Sequence, residues 1–319
     1  MRRVLLLIIL FNVKITFGSV GNASPYFKRC SYDCTRINCT LDGSKYKTNN
    51  LQNFFYTLTY WRCENECEYM CMWDTVDLFQ KRQYRIPQFY GKWPFIKILT
   101  IQEPASTIFS LINLYAHIKM AKRMKEEIRF GSPNLWLWYG HAILFSHSWI
   151  WSAIFHARDT ELTEFMDYVC AYSTILYSFY TMLMRTLYNS SKKLLVIVTA
   201  LCLSFYASHA TYIYTGRFDY GYNMQVNVFT GVLAVVGWLS FWQLNKKQIY
   251  TRKIALYSVY IAVMTLLELI DAPPLLWTFD SHAIWHASTI PATYIVYSFA
   301  IDDCKYLRKQ MEFSRKDSF

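Results

Sequence analysis

Seven long apolar runs decide what this chain can fold into. From residue 96 onward they lie at approximately 96–118, 135–156, 166–185, 194–213, 224–243, 253–272 and 281–301. Each is close to the roughly 20 residues that a helix needs to cross a hydrocarbon core. Composition points the same way, because 54% hydrophobic and 17% charged residues is an unusual balance for a water-soluble protein. The expected fold class is therefore all-α: a membrane protein with a seven-transmembrane helix bundle over 96–301 and a small disulfide-rich amino-terminal segment.

Met1 to Gly18 reads as a secretory signal peptide. Arg2 and Arg3 form its basic region, Val4 to Phe11 its apolar core, and small residues follow near Gly18 and Ser19. An uncleaved anchor is the alternative. The polar segment 19–95 then holds Cys30, Cys34, Cys39, Cys63, Cys67 and Cys71, six of the nine cysteines. An even number behind a signal implies a lumenal disulfide framework whose pairing is left open; a cysteine zinc site is the competing reading. Asn22 and Asn38 open glycosylation acceptor motifs in the same segment.

Basic residues orient the runs. With the amino terminus in the lumen, the cytosolic loops carry Lys119, Lys122, Arg123, Lys125 and Arg129, then Arg185, Lys192 and Lys193, then Lys246, Lys247, Arg252 and Lys253. The lumenal loops carry Arg158 and Arg217 only, an asymmetry that favours this orientation. A cytosolic tail, 302–319, follows from it and is itself basic, with Lys305, Arg308, Lys309, Arg315 and Lys316. Asn189 opens a third acceptor motif that this orientation places in the cytosol and leaves unmodified. The net charge of +11 is used in topology, and with no basic-aromatic binding module a nucleic-acid partner is not expected.

Ionisable residues inside spans are costly and so mark functional candidates. His282 and His286 are four apart on the last run and share a helical face. Ser152 and His156 share a face at the end of the second run, and Asp167 stands at the start of the third. The orientation puts all five at one lumenal depth. Three imidazoles with an open position are the ligand set of a catalytic zinc, which lowers the pKa of bound water to about 7 and polarises a carbonyl. Iron and manganese suit three histidines as well. Asp167 would then move the proton and Ser152 would bond the developing oxyanion, a site for ester or amide hydrolysis.

Each residue also has a plainer use. A lone intramembrane histidine commonly packs against a hydrogen-bond partner, Ser152 could bond its own i−4 carbonyl, and Asp167 could cap a helix. Among the other histidines, His147 should face away from the site and His117 and His141 fall at the wrong depth, whereas His209 competes as a ligand. Asp280 and Ser281 are expected as helix caps.

The chain resembles the post-GPI-attachment-to-proteins factor 3 family of GPI-anchor phospholipases. The resemblance rests on Trp61-Arg62-Cys63 with Glu64 to Cys71, on Phe155 to Thr160 with Thr163 to Tyr168, and on Asp271 to Pro274 leading into His282 to His286. The wider group includes alkaline ceramidases and adiponectin-type receptors. It implies Ser152 and Asp167 as catalytic residues, His156, His282 and His286 as ligands, and removal of the sn-2 acyl chain from GPI-anchored proteins during lipid remodelling, chiefly in the Golgi membrane with the endoplasmic reticulum as alternative. The competing functions are a ceramidase-like amidase and a seven-span receptor or transport factor without chemistry.

Overall fold

The computed structural model describes residues 19–48, 54–216, 220–270 and 272–316. The expected signal peptide, Arg217 and Asp271 lie outside the described residues. Among those described, β pairing is limited to two isolated bridges, Cys39 with Tyr46 and Phe89 with Lys92. The fold is all-helical. The chain divides into two units, one of residues 1–100 with 273–277 and one of residues 101–272 with 278–319.

In the first unit, α1 (Val20–Ala23), α2 (Pro25–Asn38), α3 (Phe54–Leu58) and α4 (Cys63–Lys81) follow in order. Cys30 and Cys34 on α2, like Cys67 and Cys71 on α4, are four apart and face one way. The bridges are nested, Cys30–Cys71, Cys34–Cys67 and Cys39–Cys63, which requires α2 and α4 to run antiparallel. All six sulfurs are thereby used, so the zinc reading of this segment gives way to disulfides. Beyond α4, Lys97 pairs with Glu66, whose Oε2 also accepts from Trp61 Nε1 at 2.8 Å.

The second unit holds seven helices among the described residues: α5 (Pro104–Glu127), α6 (Leu135–Ala157), α7 (Glu161–Thr186), α8 (Lys192–Thr215), α9 (Tyr220–Leu244), α10 (Arg252–Met264, continued by a 3-10 turn to Leu269) and α11 (Ser281–Lys316). Their ends have local causes. Pro104 opens α5 at a position where its missing N–H has no bond to lose. Thr160 Oγ1 accepts from the Thr163 N–H at 3.2 Å to cap α7, with Glu161 and Glu164 in its first turn. Asp280 caps α11 by accepting from the Ala283 N–H at 2.8 Å.

The first long helix starts at Pro104 rather than near residue 96, and α11 runs through the tail as far as Lys316. Neighbour packing runs α5–α6–α7–α9–α10–α11 and back to α5, with α8 outside this ring against α7. Two helices, Lys192–Thr215 and Tyr220–Leu244, are long and apolar enough on their own to cross a membrane.

The facing sides of α5 and α11 are more polar. Ser106, Ser110, Asn113 and His117 on α5 and His282, His286, Thr289 and Thr293 on α11 each follow the spacing i, i+4, i+7, i+11, one stripe per helix. These stripes meet along the α5–α11 contact. Deeper in the ring Met120, Met124, Trp138, Trp238, Ile254 and Phe299 form the apolar core.

Candidate metal centre

Four helix ends meet at one end of the ring: the start of α5, the end of α6, the start of α11 and the 3-10 turn after α10. His156 comes from the last turn of α6, and His282 and His286 from the first two turns of α11. Their Nε2 atoms converge, with His156 3.3 Å and His286 2.8 Å from His282. His156 and His286 are each 2% exposed, so their rings are closed off from solvent.

Every Nδ1 is held from outside its own helix. His156 Nδ1 lies 2.7 Å from Glu103 Oε2, His282 Nδ1 lies 2.6 Å from Glu268 Oε2, and His286 Nδ1 lies 3.0 Å from Ser110 Oγ. A carboxylate can only accept, so His156 and His282 carry the proton on Nδ1 and turn the Nε2 lone pair inward. Ser110 donates its own proton to the Ser106 carbonyl at 2.8 Å, which leaves its oxygen to accept from His286 Nδ1. Three Nε2 atoms at these separations need either a shared proton or a metal ion between them.

The donor set fits zinc. Nitrogens about 2.0–2.1 Å from one tetrahedral ion stand roughly 3.3 Å apart, the His156–His282 separation, with His282–His286 somewhat closer. Carboxylates on the distal nitrogens are the outer partners that metal-ligating histidines commonly have. The three residues also satisfy the geometry of a common ion site.

The structure places the remaining expectations one by one. Ser152 is buried, its Oγ 3.1 Å from Ser110 Oγ, and so is linked through Ser110 to His286. Asp167 is half-buried in the second turn of α7, near the thiol of Cys170. His209 is removed from competition: its ring packs on Tyr172 at 4.1 Å and Tyr222 at 5.6 Å, away from the three histidines. His147 meets Trp151 Nε1 and Cys170 on the α7 side, while His117 bonds Thr293 and Tyr297 lower in the stripe. His141 stacks on Phe145 at 3.9 Å.

Sequence reasoning missed Glu103, Glu268 and Ser110. Glu268 sits inside the run 253–272, where an acid is itself a signal of function. Glu103, beside Pro104 and inside the run 96–118, carries the same signal. Ser110 carries none, since serine is common on helix contacts.

The Per1-like family model matches residues 53–304. Post-GPI attachment to proteins factor 3 of Drosophila melanogaster is 42% identical over 290 residues, covering 89% of each chain. GPI-specific phospholipase A2-like PGAP3 of Mus musculus is 39% identical over 306 residues, covering 96% of this chain and 95% of that one. Its counterpart in Homo sapiens is 38% identical over 296 residues, with 92% of each chain covered. No solved structure matches the chain.

Proposed function

This chain belongs to the Per1-like family, and on that footing we propose that it is a seven-span membrane hydrolase of GPI lipids, removing the sn-2 acyl chain from GPI-anchored proteins. The observation that carries the reading is the convergence of three Nε2 atoms whose Nδ1 atoms are all engaged. The names borne by its relatives supply the substrate class. An orientation with the amino terminus in the lumen puts the site at the membrane face where the lipid and its attached protein lie, and the Golgi is the proposed compartment.

His156, His282 and His286 would hold a zinc ion, and when bound it would acidify a water and polarise the ester carbonyl. Glu103 and Glu268 keep the proton on the distal nitrogens, so each ring presents a lone pair rather than an N–H. Ser152 donates to the oxygen that gains charge as water adds to the ester carbon. Asp167 takes a proton from the water and returns one to the glycerol oxygen as the C–O bond breaks. The products are a free fatty acid and a lyso-lipid, with atoms balanced by one water.

Elemental analysis of the purified full chain, wild type beside His286→Ala, coupled to fatty-acid release from a GPI lipid and from ceramide, tests the reading. Zinc near one per chain and acyl release from the GPI lipid, both lost in the variant, support it. Release from ceramide alone makes it an amidase instead. Full activity without metal overturns the mechanism.

A further inference from the structure

Pro291 lies inside α11, just over one turn after His286. Proline has no N–H, so the Ala287 carbonyl has no intrahelical donor, and the ring crowds the turn before it. A helix interrupted in this way does not by itself fix the bearing of its first turns. Those turns carry two of the three histidines.

The same turn is held from outside by two other helices. Asn113 of α5, fully buried, donates Nδ2 to the His286 carbonyl at 2.8 Å. Tyr260 of α10 donates its hydroxyl to the Ser288 carbonyl at 2.9 Å. Thr289 adds to the α5 side, its Oγ1 2.7 Å from the His286 carbonyl and 3.1 Å from Asn113 Oδ1. The two carbonyls belong to residues five and three before the proline. The Ala287 carbonyl left without its donor by Pro291 lies between these two, so the side chains hold the turn on either side of the gap.

We propose that Asn113 and Tyr260 are positioning residues, a clamp that spans the Pro291 interruption and sets the direction in which His282 and His286 present their Nε2 atoms. The proposal rests on the metal reading of the site. Asn113 belongs to the stripe that also carries Ser110, the partner of His286 Nδ1, so α5 holds His286 at both its ring and its backbone. Tyr260 holds the opposite side of the same turn. Without the clamp the first turns of α11 can swing about the proline, and the ligand pair moves relative to His156, which α6 and Glu103 keep in place.

The test compares the purified full chain with Asn113→Leu, Tyr260→Phe and Thr293→Val. Zinc affinity is read by chelator competition, and the visible absorption of the cobalt-substituted protein reports the arrangement of ligands. Leucine matches asparagine in size but cannot donate; Tyr260→Phe removes one oxygen and preserves packing should the first variant fail to fold. Thr293→Val removes a similarly buried hydroxyl of the same stripe on the carboxyl-terminal side of Pro291, away from the histidine pair, where it bonds His117 and the Thr289 carbonyl. Asn113→Leu is expected to weaken zinc binding about 10- to 100-fold, the usual effect of losing an outer partner, and to shift the cobalt spectrum. Tyr260→Phe moves both in the same direction by less, and Thr293→Val leaves them as in wild type. Wild-type affinity and spectrum in both clamp variants, or an equal loss in Thr293→Val, overturns the clamp. A wild-type chain that binds no metal overturns the metal reading and the clamp with it, and shows itself before any variant is compared.

Discussion

Glu103 holds His156 twice: its Oε2 lies 2.7 Å from His156 Nδ1, and its backbone N–H donates to the His156 carbonyl at 3.0 Å. The side chain fixes the ring's proton and rotation, and the backbone contact ties the start of α5 to the end of α6. Replacing the carboxylate by its amide keeps size but allows an N–H to face the ring. Glu103→Gln is therefore expected to lower zinc affinity about 10- to 100-fold with the helical content unchanged. Circular dichroism and chelator competition on one preparation read both; unchanged affinity would show that the carboxylate does not set the ring.

Ser152 and Ser110 share a contact of 3.1 Å, but only Ser110 touches His286. Ser152→Ala should consequently keep its metal while acyl release falls by about a hundred- to a thousandfold, the range seen when an oxyanion donor is removed. Ser110→Ala should lose metal as well. Steady-state kinetics with elemental analysis separates the two, and equal metal loss in both variants would assign Ser152 a ligand-orienting part rather than a catalytic one.

Topology is open to a direct check. Asn38 is exposed at the end of α2, its Nδ2 bonded to the Cys34 carbonyl at 3.1 Å, and Asn22 is half-buried with its Oδ1 accepting from the Tyr90 N–H. Both are expected to carry glycans if the first unit is lumenal, with Asn38 the more fully occupied because it is more exposed. Asn189 is expected to carry none. Glycosidase shifts in the three single Asn→Gln variants read this, and a glycan on Asn189 reverses the orientation.

In the loop after α2, the Ser44 hydroxyl, then the Thr40 hydroxyl, hold the Asp42 carboxyl down to about 2 from an ordinary value of 3.8. Each hydroxyl is 2.6 Å from a carboxylate oxygen. Because the folded value is the lower one, the loop is steadied fully above the ordinary value and loses that support as pH falls through about 2. Pepsin cleavage between residues 40 and 48 should rise between about pH 4 and pH 2 in wild type. Asp42→Asn should already be cut at the upper end of that window; identical profiles would mean that the carboxylate does not order the loop.

Helical spacing carried much of the site in one dimension. Residues four apart share a face whatever surrounds them, so the pairing of His282 with His286 and of Ser152 with His156 is written in the chain, as is the four-residue rhythm of Cys30 and Cys34 against Cys67 and Cys71. Long apolar runs likewise announce helices, though the start of α5 was set by Pro104 and Glu103 rather than by the first apolar residue.

Lateral neighbours were not legible. His209 and His156 read alike as histidines near helix ends, and only the packing of His209 against Tyr172 and Tyr222 separates them. Glu103 and Glu268 reach His156 and His282 across 53 and 14 residues of chain, and neither pairing has a spacing that betrays it. Sequence by itself determined which residues share a helix face and at what height they stand, because rise and twist per residue are constant. Which faces meet, which carboxylate holds which ring, and that α8 stands outside the ring were decided by the tertiary structure, because packing alone chooses how each helix is turned and what lies beside it.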